Sequence, residues 1–419
     1  MALGLKKKIK NKLSSLSKES ETYRYLYRQL LYFNRKRNYK KSSKQVAVND
    51  KMVIFEAFQG RSFACSPKAL YLAMLKDEKY QDYQFIWAVN NVDQHKYLKK
   101  NKNTKVVKRL SDPYHKAMAQ AKYIVFNSGI PNYISLKKEQ VYVQTWHGTP
   151  LKRLGCDIEA TGNALFNLKE IRTKYTKNGK EFSYLLSPSA FTTEKLCSAF
   201  NVGPERRDQI VIEEGYPRND ALFQYTKEEI ASFKENLKLP TDKKVILYAP
   251  TFRDNHYETS VGFKYNGELD FDKLRTEIGE DCVILFRAHC QIADKFNFKA
   301  QEGFVYDVSK HEDVNELYII SDLLITDYSS VFFDYANLKR PMIFFMYDLD
   351  EYQNDVRDFY LDLEELPGPI VMTQEEVTEQ IKKLNKEFVY DDKYQKFNHR
   401  FNYLDGSDCS CKVLERIIR

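Results

Sequence analysis

Long apolar runs are missing from this sequence. Its 419 residues hold no stretch near the roughly 18 apolar residues that a membrane-spanning helix needs. The richest run, 341–347, is of strand length. The basic N-terminus lacks the apolar segment of a secretory signal, so a protein that stays in the cytoplasm is expected. Cysteine agrees. There are seven, an odd number, with no Cys-x-x-Cys pair and only Cys409 and Cys411 closely spaced. That pattern fits reduced thiols rather than a disulfide framework or a zinc site. Gly-x-Gly-x-x-Gly, Gly-Lys-Ser/Thr and Gly-x-Ser-x-Gly are all absent. Their absence argues against an ordinary dehydrogenase, a P-loop NTPase and an α/β-hydrolase. No Asp-x-Asp pair stands in a cluster directly at a strand end, which disfavours a metal-dependent, single-domain glycosyltransferase. His147, His289 and Asp327 could in principle bind a metal, but none is expected.

What is present is foldable. Apolar residues make up 43% and charged residues 30%, with 30 Tyr and 27 Phe. A chain this long suits two domains of about 150–200 residues. Charge is unevenly spread. Residues 1–44 carry 14 Lys and Arg against 2 Asp and Glu, while the rest carries 52 against 56. The protein is thus a mildly acidic body with a basic arm. In the arm, Leu5, Ile9, Leu13 and Leu16 recur at helical spacing, followed by Tyr23, Leu26, Tyr27 and Leu30. Lys6, Lys7, Lys8, Lys10 and Lys12 fill the early gaps. The pattern predicts a basic amphipathic helical arm that lies on an anionic membrane surface. A solvated helix packed on its own body is the plainer alternative. Nucleic acid is disfavoured, because the basic charge stops at Lys44 and the body is acidic.

Beyond the arm, short apolar runs alternate with amphipathic segments. Strands are predicted at 52–58, 85–89, 105–107, 123–126, 141–146, 184–186 and 210–213. Helices are predicted at 67–76, 94–98, 112–121 and 189–200. Residues 237–244, with Pro240, look like a linker. Strands then return at 245–248, 283–286, 323–326 and 342–345, with helices near 271–278, 314–320 and 331–337. This alternation predicts an α/β protein with two parallel-sheet domains. The expected boundaries are a 1–44 arm, a 45–240 N-terminal domain, a 241–373 C-terminal domain and a 374–419 helical segment.

Five clusters each follow an apolar run directly: His147–Pro150, Gly215–Asp220, Ala249–Arg253, Arg287–His289 and Asp327–Ser330. Ligands of open α/β sheets bind at the carboxyl ends of strands, so these clusters predict a cleft between facing sheets. Their chemistry points to phosphate. Ser329 and Ser330 precede a predicted helix, whose N-terminal amides attract anions, though a plain Ser cap reads equally well locally. Arg218, Arg253 and Arg287 offer guanidiniums that hold phosphate without metal. His147 is placed to take a proton near neutral pH. His289 shares a strand end with Arg287. His95, His115, His256, His311 and His399 are expected on the surface.

These residues also carry a resemblance. Gln144-Thr145-Trp146-His147-Gly148-Thr149-Pro150-Leu151-Lys152, Gly215-Tyr216-Pro217-Arg218-Asn219-Asp220 and Tyr248-Ala249-Pro250-Thr251 resemble motifs of the CDP-glycerol glycerophosphotransferase family, the teichoic acid glycerol and ribitol phosphate transferases. So do Ile325-Thr326-Asp327-Tyr328-Ser329-Ser330, Phe333-Asp334, Lys339-Arg340-Pro341 and Leu366-Pro367-Gly368-Pro369. The resemblance covers roughly residues 50–400, with the motifs in the family's order. It implies a GT-B fold, two Rossmann-like domains around a central site. It implies transfer of a polyol phosphate from CDP-glycerol or CDP-ribitol to a lipid-linked teichoic acid or capsule polymer, releasing CMP. It implies work at the cytoplasmic face of the bacterial cell membrane, with no cofactor beyond the donor.

Carried over, His147 resembles the family's general base, and His289 joins it as a catalytic candidate. Gly148, Thr149, Pro150 and Leu151 continue that loop beside the donor. Arg218, Arg287 and His289 resemble pyrophosphate contacts, and Pro250 and Thr251 lie against the nucleotide. Ser329, Ser330 and Asp334 resemble further donor contacts. Two positions depart from the family pattern: Phe252 stands where Trp is common, and Ala288, a candidate substrate-binding position, stands where a bulkier residue is common. Two alternatives remain at this level. One is a GT-B transferase using a nucleotide sugar. The other is a non-catalytic membrane scaffold. The amphipathic ends also leave self-association open.

Overall fold

The computed structural model describes residues 21–44, 46–159, 168–251, 257–258, 262–263, 269–288, 298–349 and 359–418. Leu5, Ile9, Leu13 and Leu16 of the predicted arm, and also Phe252, Arg253, His256 and His289, lie outside these residues. The chain forms two compact units: Met1–Arg61 with Leu75–Tyr142, and Ser62–Met74 with Val143–Arg419.

In the first unit, strands β1 (Asn49–Glu56), β2 (Gln84–Val89), β3 (Thr104–Lys108) and β4 (Ala121–Phe126) pair in parallel in the order β3-β2-β1-β4. Val53 sits opposite both Phe85 and Tyr123. Residues 52–56 are buried without alternation, as a strand covered on both faces must be. Phe55 stacks on Trp87 with ring centroids 5.4 Å apart. The helix Asp112–Gln120 starts where the Asp-Pro signal predicted, with Ser111 accepting a hydrogen bond from the Tyr114 amide.

The basic segment forms a 23-residue helix, Glu21–Ser43. Tyr39 fixes it to its own unit. Its hydroxyl donates to the Ser135 carbonyl at 2.9 Å, and its ring meets His115 edge-on at 6.1 Å. His115 is fully buried and hydrogen-bonded to the Tyr133 hydroxyl at 2.9 Å, and His95 is buried too. Both were expected on the surface. Each has aromatic or backbone partners that its local polar sequence does not reveal.

The second unit begins with the helix Cys65–Lys76, which reaches just past its first segment. Strand β5 (Val141–Gln144) enters it and is followed by β6 (Tyr184–Ser187) and β7 (Val211–Glu213), paired in parallel. A six-stranded parallel sheet starts at Lys244, at the end of the segment read as a linker. Its strands are β8 (Lys244–Ala249), β11 (Cys282–Phe286), β12 (Val305–Asp307), β13 (Leu323–Thr326), β14 (Met342–Phe345) and β15 (Ile370–Val371), in the order β12-β11-β8-β13-β14-β15. A two-strand antiparallel ladder, β9 (Tyr257–Glu258) with β10 (Gly262–Phe263), stands apart from it.

Alternation divides this sheet's side chains between two cores. Val245, Leu247, Leu285, Leu324 and Phe344 face one side. Ile246, Ile284, Phe286, Ile325 and Phe345 face the other. Each such side chain contributes about 1.5–3 kcal/mol by leaving water. Compactness does not follow the composition break near 240. Leu151, Phe191 and Leu222 pack in the same core as the second sheet, so residues 143–240 join it. The C-terminal segment is helical, with helices Gln374–Lys386, Asp392–Phe401 and Cys409–Ile417. It is not separate either: Phe397 stacks on Phe333 and Phe401 meets it edge-on, with centroids 5.4 and 5.2 Å away.

Candidate active site

Strand β5 ends at Gln144, and its side chain shapes the turn beyond it. Gln144 Oε1 accepts from the Trp146 amide at 2.9 Å. Trp146 adopts a left-handed φ of 51°, which is costly for a bulky residue, and the chain turns sharply there. The Trp146 ring is held edge-on against Phe200, with centroids 5.4 Å apart. The turn leaves His147 exposed, with its ring 4.3 Å from that of Trp146.

The next residue, Gly148, makes a close approach. A Cβ on Gly148 would lie 3.0 Å from Ser330 Oγ, so two strand-end clusters nearly 200 residues apart in sequence approach each other here. They enclose a cavity of about 230 Å³. Trp146, His147, Gly148, Thr149, Pro150, Leu151, Lys152 and Leu154 line one side, and Thr251, Tyr328, Ser329 and Ser330 the other. Thr251 is set by its amide, which donates to Asp327 Oδ1 at 2.7 Å at the end of β13. Tyr328 is buried and donates to Asp348 at 3.0 Å. Ser330 precedes a short helix, Val331–Tyr335, but its hydroxyl makes no capping bond there.

The predicted site residues therefore separate into two groups. His147, Gly148, Thr149, Pro150, Leu151, Thr251, Ser329 and Ser330 line one cavity, and Pro250 directly precedes Thr251. Arg218 and Asp334 do not line it. Arg218 is 6% exposed, and its Nη2 donates to Asp334 Oδ1 at 2.6 Å. The Tyr216 ring covers the guanidinium, 4.4 Å away. Both were expected to touch the donor; in the structure they pair with each other. Arg287 spends its Nη1 on the carbonyls of Val308 and His311, at 3.1 and 2.9 Å. Ala288 is buried, and its amide donates to Ser309 Oγ at 2.9 Å. His289 lies outside the described residues.

Sequence reasoning missed three features. Lys152 is the one cationic side chain lining the cavity among the described residues; it stood inside a quoted motif without a role. Asp405 is half-buried and holds the Arg218 turn. It accepts from the Tyr216 amide at 2.8 Å, from Asn219 at 2.7 Å and from Asn337 at 2.9 Å. Burial pushes its carboxyl up to about 6, against those hydrogen bonds. Lys68 forms an ion pair with Asp313 at 2.6 Å beside a His311–Glu316 contact at 2.8 Å. Only Lys152 had any sequence signal. Among the described residues no group of three or more His, Cys, Asp or Glu gathers as a metal site, and no helix is long and apolar enough to cross a membrane.

Comparison with known proteins fits this geometry. The family model described as CDP-Glycerol:Poly(glycerophosphate) glycerophosphotransferase matches residues 38–419. The teichoic acid poly(glycerol phosphate) polymerase of Bacillus spizizenii is 39% identical over 88% of this chain and 92% of its own length. That of Bacillus subtilis strain 168 is 38% identical over 99% of this chain, which spans 54% of that relative's length. A solved structure of the wall teichoic acid polymerase TagF, a histidine-to-asparagine variant soaked with CDPG, superposes with a TM-score of 0.82. That structure is 36% identical, with 96% of this chain and 97% of the other covered. It shares the GT-B fold. On the match of the family model over nine-tenths of its length, this chain belongs to the CDP-glycerol:poly(glycerophosphate) glycerophosphotransferase family.

Proposed function

We propose that the protein transfers glycerol phosphate from CDP-glycerol to a terminal hydroxyl of a poly(glycerol phosphate) acceptor at the His147 cavity. The observation that carries this reading is the arrangement of the cavity itself. An exposed histidine on a strained turn lines one cavity with the hydroxyl-bearing residues Thr251, Ser329 and Ser330 and with Lys152. In the reaction, His147 takes the proton of the acceptor hydroxyl as that oxygen attacks the β-phosphorus. The new P–O bond forms as the bond to the bridging pyrophosphate oxygen breaks, and CMP leaves with that oxygen. Positioning and charge stabilisation carry most of such a transfer. Lys152 and the hydroxyls are the groups that would meet the phosphates. Arg218 and Asp334 act behind them by holding the Ser329–Ser330 turn.

The helix Glu21–Ser43 is read as a membrane-surface element. Tyr39 faces its own unit, while Tyr23, Leu30 and Phe33 are exposed and Lys40 and Lys41 lie in the last turn. Apolar and basic groups on one outward surface suit an anionic bilayer. Such a helix would hold the cavity near a lipid-linked acceptor.

The test is CMP release from CDP-glycerol and, separately, CDP-ribitol with a detergent-solubilised acceptor. Release with CDP-glycerol alone supports the reading. Release with CDP-ribitol alone changes the polyol. Release of a nucleoside diphosphate from a nucleotide sugar, with neither CDP donor used, overturns it.

A further inference from the structure

A second cavity of about 230 Å³ lies in the same unit, lined by Arg153, Asp157, Lys195, Ser198 and Tyr360 among others. It shares a wall with the His147 cavity. Residues 151, 152 and 154 line the first cavity, while Arg153 and Asp157 line the second. Tyr360 secures that wall. Its amide donates to the Leu151 carbonyl at 2.8 Å, and its hydroxyl accepts from the Leu154 amide at 3.1 Å and donates to Asp157. An isolated antiparallel bridge between Lys152 and Phe359 ties the same two segments.

The chemistry of the second cavity is mixed in sign. The Lys195 side chain is 24% exposed; its ammonium lies 5.7 Å from the ring centres of both Phe191 and Tyr360 and 2.6 Å from Glu194. Arg153 Nη1 donates to the exposed Glu159 at 3.0 Å. Asp157 accepts from Ser198 Oγ at 2.6 Å. A bare anion would meet Asp157 and Glu194 as well as the cations. A neutral polyol would make no use of Lys195 and Arg153. A polyol phosphate answers both signs: its phosphodiester oxygens pair with the ammonium and guanidinium, and its hydroxyls donate to the carboxylates.

Resting on the transfer reading above, we infer that this cavity binds an inner repeat unit of the poly(glycerol phosphate) acceptor while the chain's terminal hydroxyl reacts at His147. The shared wall makes this geometrically economical, because the growing chain passes from one side of residues 151–154 to the other. The cavity then distinguishes a chain of several units from a single unit.

The decisive experiment is equilibrium binding of a fluorescently labelled oligo(glycerol phosphate) of several units, with a one-unit analogue as reference. Binding needs no turnover, so it reads the subsite even where CMP release fails. Wild-type protein is expected to prefer the longer probe. Lys195→Gln, and separately Arg153→Gln, should weaken the longer probe about 10-fold or more, the loss of one charge-assisted hydrogen bond. The long-to-short preference should fall toward one, with CMP affinity held. Thermal unfolding at the wild-type temperature confirms that the variants fold. Equal affinity of wild type and both folded variants for the longer probe, or no preference for it in wild type, overturns the assignment.

Discussion

Arg218 Nη2 and Asp334 Oδ1 meet at 2.6 Å, with side chains 4% and 9% exposed. The same carboxylate oxygen accepts from Asn219 Nδ2 at 3.1 Å. Asp334 belongs to the helix that directly follows Ser330, and Arg218 to the short helical turn Pro217–Leu222. The pair therefore fixes the Ser329–Ser330 turn from behind. Removing one partner strands a buried charge, at a cost of about 3–5 kcal/mol. Asp334→Asn is expected to lower the unfolding free energy by that amount, read as a drop in the denaturant midpoint at unchanged slope, and Arg218→Lys, which gives up the Tyr216 ring contact, should also destabilise. An unchanged midpoint together with lost CMP binding would return Asp334 to the role of a direct donor contact.

His147 is predicted to matter for rate rather than for donor affinity. It is exposed in the cavity, and a general base typically contributes 10²–10⁴-fold. His147→Ala should lose about that much CMP release while calorimetric CMP affinity stays within a few-fold of wild type. Near-normal turnover would remove His147 from the proton transfer.

The approach of Gly148 to Ser330 gives a prediction for a pair. A methyl group at Gly148 would sit 3.0 Å from Ser330 Oγ but 3.7 Å from Ser330 Cβ, an ordinary contact distance. Gly148→Ala alone should therefore displace the His147 loop or the Ser330 turn and lower kcat/KM. Adding Ser330→Ala removes the crowding oxygen, so the double variant should be less impaired than the two single losses combined. Coupling of about 0.5–3 kcal/mol is expected for residues in contact. Strict additivity would show that the two loops do not press on each other in solution.

How much of this was legible in the sequence depends on range. Strand β13 and the Asp327–Ser330 cluster, or β5 and the His147 cluster, are local patterns, and both appear where the apolar runs ended. The pairing of Arg218 with Asp334 spans 116 residues, and no spacing rule encodes it. The resemblance carried both residues to the site but did not indicate that they pair with each other. His115 sits in a polar stretch, yet it is buried because Tyr39 and Tyr133 close over it from outside its own helix. Asp405 carried no signal, since its three donors come from segments ending near 219 and 337.

Glu56 gives a prediction about pH in the first unit. It closes β1, is 1% exposed, and accepts from Arg109 Nε at 2.9 Å. Burial pushes its carboxyl up to about 7 from the ordinary 4.5, with Arg109 pulling the other way. A raised carboxyl binds its proton more tightly in the folded chain than in the unfolded one. Its contribution to stability is therefore full below about pH 4.5 and is lost as pH rises through about 7. Glu56→Gln keeps the shape and removes the titration. The stability of wild type minus that of Glu56→Gln should fall by about 1–3 kcal/mol between pH 4.5 and 7 and level off above. Urea unfolding at pH 5, 6, 7 and 8 measures it. A difference that grows with pH would mean that Arg109, not burial, governs the carboxylate, and that the pair is ionised throughout the range.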